Sequence, residues 1–259
     1  AQADGTLVDP LGGLKDLRAR RLRFVGNADA RIREDYLRVL RFFRFHAQYG
    51  DPQQGLDPDA LAACAEHSAM LETLSQERIT AELRKLLAAR DPAPSVAAMA
   101  QTGVLGHILP GAQAQPLAIL VHLEGGEPGT WLRRLLALGG SDPIEILRMS
   151  KAESRDFSKV RDVLGDLSAT AVLGYQLGAD LATDAVLVRA ALFETPPPDG
   201  WQRDIERGAN ARFPLKPKDL MPHLSGADLG AALKQAEAHW LAQDFAPDRA
   251  ALLSVLGLA

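Results

Sequence analysis

From Arg31 to Phe45 the chain reads RIREDYLRVLRFFRF, with apolar Leu37, Leu40 and Phe43 spaced three apart and Arg38, Arg41 and Arg44 set between them. Spacing by three and four places one set of side chains along a single helical face. It predicts a helix from Glu34 to Tyr49, ended by Gly50, with Leu37, Leu40, Phe43 and Ala47 on its buried stripe. Asp35 and Arg38 stand three apart and Arg41 and Arg44 continue the row, so an acceptor and several donors are expected on neighbouring turns. The remainder of the chain must then pack around helices.

The same punctuation recurs downstream. Asp57 with Pro58 starts a second helix, Ser75 starts another to about Ala89, and Asp91 with Pro92 stops it. Residues 95–101 and the turn TGVLGHILPG close a first helical unit near residue 110. Shorter helices are expected over 117–124, 130–138, 142–149, 152–167 and 182–193, a PPPDG loop and weak boundary at 196–200, and final helices over 226–243 and 247–256. AQADGTLVDP reads instead as two extended pieces about a turn at Asp4 and Gly5, the second half of something longer. The fold class is therefore mainly α and multi-helical, with a short α/β remnant at the N-terminus.

Several classes of function are disfavoured. The chain contains no apolar run of about 18 residues, and its start lacks the charged and apolar regions of a signal peptide, so a cytoplasmic setting is expected with no membrane partner. Cys64 is the single cysteine and reads as a small core residue on ALAACAEHSAML. The six histidines, His46, His67, His107, His122, His223 and His239, are scattered without a metal-ligand spacing. Asp57 and Asp59 flank a proline and read as caps of a helix, not as metal-binding carboxylates on a strand. No metal site is expected, and Trp131, Trp201 and Trp240 are expected in the core.

Charge is unevenly placed. Between Leu14 and Arg44 there are 10 Lys or Arg against 4 Asp or Glu, a local balance of +6 in a chain of net charge −4. Such a concentration suits phosphate, although RARRLR could equally be a solvated basic face. Asp35 with Arg38 adds a more specific chemistry. Cytosine and adenine present an amino donor beside a ring-nitrogen acceptor, whereas uracil and guanine reverse that pattern. A carboxylate and guanidinium together match the first pair and mismatch the second, at roughly 1–3 kcal/mol for each buried polar group left unpaired. The competing local reading is an ordinary helix start, with Glu34 and Asp35 at the positive end and Arg38 paired to Asp35 on the surface.

Three ordered blocks then carry a resemblance. They are DP-x-GG-x-x-DL (Asp9, Pro10, Gly12, Gly13, Asp16, Leu17), ED-x-x-R-x-x-R (Glu34, Asp35, Arg38, Arg41) and S-x-ER-x-x-x-EL (Ser75, Glu77, Arg78, Glu82, Leu83). In this order the chain resembles the bacterial tRNA nucleotidyltransferases and poly(A) polymerases, whose class includes the CCA-adding enzymes. The likeness is strongest over about the first 110 residues and continues more loosely through RFPLKPKDLMPHLSGADLGAAL.

The resemblance implies that residues 1–26 end a catalytic head, 27–110 form a neck and 111–259 a helical body. Asp9, Gly13 and Asp16 would belong to the head–neck hinge. Asp35 and Arg38 would read the edge of incoming CTP or ATP, supported by Glu34, Arg41, Glu77 and Arg78. The third block has a structural reading as well: Ser75 caps a helix, Glu77 complements its dipole and Arg78 pairs with Glu82. The paired carboxylates that would bind Mg2+, and the glycine-rich turn that would cradle a triphosphate, are not found. No catalytic residue is therefore assigned in this chain, and alone it should not transfer nucleotides.

Between the expected body helices, Arg212, Lys216 and Lys218 precede a helix start at Ser225 and Gly226, whose backbone N–H groups could hold an RNA phosphate. The implied partners are tRNA or other RNA 3′ ends and nucleoside triphosphates. CCA addition is the favoured activity. Poly(A) addition, or a non-catalytic helical RNA-binding module, is the alternative.

Overall fold

Four helices begin where a short polar side chain turns back onto the backbone. Asn27, Asp57, Thr130 and Asp248 each accept from an N–H three residues on, satisfying a donor that the first helical turn leaves free. The computed structural model describes residue 5 and residues 8–126, 129–166 and 168–258. The extended pieces expected around Asp4 fall largely on residues 1–4, 6 and 7, outside the described residues. Elsewhere the architecture is the expected multi-helical one. Among the described residues the sole β-pairing is an isolated bridge between Ala112 and Gly139.

Two compact units divide the chain, Ala1–Arg161 with Leu187–Pro196, and Asp162–Val186 with Pro197–Ala259. The first contains α1 (Gly13–Arg18), α2 (Ala28–Glu34), α3 (Leu37–Tyr49), α4 (Pro58–Glu66), α5 (Gln76–Leu87), α6 (Ala93–Gln101), α7 (Val104–Ile108), α8 (Gln115–Leu123), α9 (Trp131–Leu138), α10 (Pro143–Ile146) and most of α11 (Lys151–Val163). A 3-10 turn, Ser68–Thr73, joins α4 to the segment before α5. Phe43, Leu71, Ile79, Leu87, Met99 and Leu105 are among its fully buried side chains. Cys64 lies in this core as expected, and burial pushes its thiol up to about 12.

Arg134 is also completely buried. Its guanidinium donates to Glu124 at 2.8 and 3.0 Å and to the carbonyls of Leu87, Ala89 and Arg90. These carbonyls lie at and just beyond the end of α5, where acceptors have no partner within the helix.

The second unit contains α12 (Thr170–Leu177), α13 (Ala179–Leu192, whose residues from Leu187 belong to the first unit), α14 (Trp201–Asn210), α15 (Pro217–Leu220), α16 (Gly226–Ala242) and α17 (Arg249–Val255). Its core gathers Leu215, Leu220, Ala232, Ala236, Trp240 and Leu252, with Tyr175, Phe213 and Phe245 packed against it. Glycine sets how closely α12 and α14 cross. A Cβ on Gly174 would run into the Ile205 carbonyl, and one on Gly208 into that of Ala171. Of the three tryptophans expected in the core only Trp240 is fully buried; Trp131 and Trp201 are half-buried. Trp131 serves as a platform for Arg84, whose guanidinium carbon is 4.2 Å from the ring centroid.

No helix among the described residues is long and apolar enough to cross a membrane.

Candidate functional site

The single helix expected from Glu34 to Tyr49 is interrupted. Asp35 leaves α2 in an extended conformation, φ −160° and ψ 105°, and α3 begins only after Tyr36. A local hydrogen bond competes with the helix here. One Asp35 carboxylate oxygen accepts from the Leu37 N–H at 3.2 Å, and the Arg38 N–H donates to the Asp35 carbonyl at 3.0 Å. Asp35 and Arg38 therefore do not occupy successive turns of one helix. Asp35 stands at a break, and Arg38 on the first turn after it.

The expected ion pairs also change partners. Arg38 pairs with Glu34, at 2.7 Å, instead of Asp35, and donates to the Arg31 carbonyl at 3.0 Å. Arg31 holds the same Glu34 from the other side at 2.8 Å. Partial burial works against the charge on Glu34, but these two guanidiniums outweigh it and hold the carboxyl below its ordinary value. Arg78 pairs with Asp35 instead of Glu82, and Arg41 approaches Asp35 at 3.8 Å. Glu82 turns to α3, taking Arg44 at 2.6 Å and Arg41 at 3.6 Å. It is 6 % exposed and joins α5 to α3, a role missed because its partners lie far away in sequence.

The second face of α5 is held as well. Glu77 pairs with Arg148, the Thr80 hydroxyl donates to the Leu147 carbonyl at 3.0 Å, and Arg84 makes a two-armed pair with Glu153 at 2.5 and 2.8 Å. Glu77 thus ties the first turn of α5 to Arg148, just after α10. Ser75 occupies the cap position of α5 without a capping hydrogen bond from its hydroxyl.

Beside Arg38 lies a cavity of about 310 Å3, lined by Arg31, Arg38 and Arg41 together with Phe24, Phe42 and Phe45. Phe24 and Phe42 stack with centroids 5.5 Å apart. The cavity thus combines cationic donors and aromatic faces; Asp35 does not line it but lies 3.8 Å from Arg41, which does.

The residues expected at the hinge form a local turn. Both Asp9 carboxylate oxygens accept from the start of α1, from the Gly13 N–H at 2.8 Å and the Leu14 N–H at 2.7 Å. Gly12 supplies the left-handed residue, φ 71°, that this return requires. Asp16 pairs with Arg23 at 2.7 Å. The RARRLR segment is a solvated face only in part: Arg20 donates to the carbonyls of Tyr49 and Gly50, and Arg21 pairs with Asp57 at 2.8 Å. Asp57 is the cap of α4, as expected, and Asp59 lies in its first turn.

In the second unit, Arg212 is turned onto the carbonyls of Ala209 and Ala211 at the end of α14. Lys216, Lys218, Ser225 and Gly226 are exposed, and Ser225 makes no side-chain bond to α16. This group belongs to the second unit, and Asp35 and Arg38 belong to the first.

The family model described as probable RNA and SrmB-binding site of polymerase A matches residues 55–115. The CCA-adding enzyme of Geobacillus thermodenitrificans is 33 % identical over 240 residues, which cover 83 % of this chain and 55 % of that protein. The chain belongs to the CCA-adding enzyme family. Human mitochondrial CCA tRNA nucleotidyltransferase 1 is 49 % identical over 84 residues, 32 % of this chain and 19 % of that one. The fold agrees: the Bacillus stearothermophilus CCA-adding enzyme solved in complex with CTP superposes with a TM-score of 0.64 at 23 % identity, covering 94 % of this chain and 66 % of that one. In each case this CCA-adding family member spans less than two thirds of the relative's length, and the region shared is the neck and body.

Proposed function

We propose that this chain is the nucleotide-selecting and tRNA-binding part of a template-independent RNA 3′-end nucleotidyltransferase that adds CCA from CTP and ATP. The carrying observation is the state of Asp35. It lies outside any helix with its carboxylate oriented by Arg78, while Arg38 keeps guanidinium N–H groups beyond its Nη1, which is given to the Arg31 carbonyl and Glu34. The base amino group would donate to Asp35 and the ring nitrogen accept from Arg38. The aromatic wall of the neighbouring cavity would take a base face, and Arg31 and Arg41 would face phosphate. Glu34, Arg41 and Arg78 hold the two readers, and Glu77 anchors α5.

In this reading residues 1–26 end the head, 27–110 form the neck and 111–259 the body. Asp9, Gly13 and Asp16 shape the hinge, and Lys216, Lys218 and the start of α16 at Ser225 and Gly226 meet RNA phosphate, with Arg212 turning outward to join them. Phosphoryl transfer, with its Mg2+, is assigned to the part of the relatives' length that this chain does not match, so the chain alone selects without transferring. A cytoplasmic enzyme acting on tRNA fits this assignment. Poly(A) addition is the second reading, favoured by the polymerase A description of the matching model and by an edge-reading pair that accepts adenine equally.

The test is nucleotide addition by the complete enzyme, with Mg2+ and each nucleoside triphosphate, to tRNA transcripts lacking their 3′ CCA. Addition that stops after C, C and A is expected. Long A tails would replace it with poly(A) synthesis, and no addition would leave a non-catalytic RNA-binding module.

A further inference from the structure

Asp29, Glu66 and His67 meet where the start of α2 packs on the end of α4, apart from the groups that hold Asp35. One donor atom from each lies within 4.8 Å of the others, and His67 Nε2 is 2.6 Å from Asp29 Oδ1. We propose that these three residues bind a divalent first-row transition ion of the Zn2+ class. One imidazole nitrogen with two carboxylate oxygens suits such an ion, whereas Mg2+ and Ca2+ favour oxygen alone.

The surroundings favour a cation on independent grounds. Glu66 and His67 end α4, a nine-residue helix whose carbonyl-rich terminus carries negative potential. His67 is 8 % exposed and its ring packs at 5.9 Å against Tyr36, so the imidazole is held in direction. Arg33 contacts the second oxygen of Asp29 at 3.3 Å and leaves the first for the metal. A cavity of about 440 Å3 is lined by Asp29 and Glu66 and gives water a route to complete the shell. The two arginines on its wall, Arg21 and Arg23, are already engaged by Asp57 and Asp16.

Binding puts the ion in place of the hydrogen bond between His67 Nε2 and Asp29 Oδ1. The two atoms part slightly to accommodate bonds of about 2.0–2.2 Å, and exposed Glu66 swings in as the third ligand. The ion would staple α2 to α4 just ahead of the break at Asp35.

Titration of this chain with Zn2+ by calorimetry, and with Co2+ by visible absorption, tests the site. One ion per chain is expected, with dissociation constants weakened at least tenfold by Glu66→Gln and binding lost in His67→Gln. Glu66 is exposed and holds no other group, so E66Q should melt like the parent protein in the absence of metal. His107→Gln removes the separate His107–Glu72 pair and should leave binding unchanged. Absence of Zn2+ and Co2+ binding, equal binding by E66Q and H67Q, or displacement by equimolar Mg2+ would each overturn the site.

Discussion

Arg78 Nη2 lies 3.0 and 3.1 Å from the two carboxylate oxygens of Asp35, across 43 residues of sequence. Both partners are partly exposed, so the pair contributes little to stability, about 0–1 kcal/mol. Its consequence is orientation: it fixes which way the Asp35 acceptor faces. In the complete enzyme Arg78→Ala should leave the melting temperature within a few degrees of the parent while lowering selection of C and A over U and G. Unaltered misincorporation in R78A would remove the positioning role.

Removing either residue of the proposed reading pair should cost more. Asp35→Ala or Arg38→Ala deletes one half of the edge match, worth about 1–3 kcal/mol of discrimination, or roughly 5- to 150-fold. Competition between CTP and UTP for single-nucleotide addition measures it directly. If both variants discriminate as the parent does, another group reads the base.

The helical class was legible because the period of Leu37, Leu40 and Phe43 is a local property, and so was the cap at Asp57. The break at Asp35 was not legible, because EDYLR suits a helix start as well as a side-chain turn onto the Leu37 N–H. Spacing rules reach only partners one turn away, and even there they gave Arg38 to Asp35 where the structure gives it to Glu34. They do not find Arg78 with Asp35 or Glu82 with Arg44. Helices α12 and α14 were missed for a related reason. Gly174 and Gly208 lower local helix propensity, and their value appears only in the close crossing that they permit.

That crossing gives a paired prediction. Gly208→Ala forces a methyl onto the Ala171 carbonyl and should destabilise the second unit by several degrees in thermal unfolding. Gly230→Ala, within α16, meets nothing within 4 Å, and should stabilise by about 0.4–1 kcal/mol. Opposite shifts from the same chemical change isolate backbone approach as the cause; shifts of one sign would refute it.

Arg134 and Glu124 form a buried pair, 0 % and 1 % exposed at their side chains. Arg134→Met would leave the Glu124 charge to the longer contact with Arg133, at 3.4 Å, and leave the Leu87, Ala89 and Arg90 carbonyls without their donor. A loss of about 3–5 kcal/mol is expected, read as a lower urea midpoint for the first unit. Adding Glu124→Leu to Arg134→Met should recover part of that loss, since the buried charge left with only the longer Arg133 contact is then gone. A double variant no more stable than the single one would place the cost in packing instead.

The pair between Arg84 and Glu153 sets an acid limit. Hydrogen bonds from the Arg84 guanidinium, then from Ser150, outweigh burial and hold the Glu153 carboxyl at about 2, against an ordinary value of 4.5. The folded state therefore binds this proton less readily than the unfolded chain does. Its stabilising contribution is complete above pH about 4.5 and declines as pH falls toward 2. Glu153→Gln removes the charge at every pH, so the stability gap between parent and variant should be constant above pH 5 and close steadily below 4.5. Urea unfolding at intervals from pH 6 to 2.5 measures that gap. Parallel curves over the whole range would mean that the ion pair does not couple α5 to Glu153 in solution.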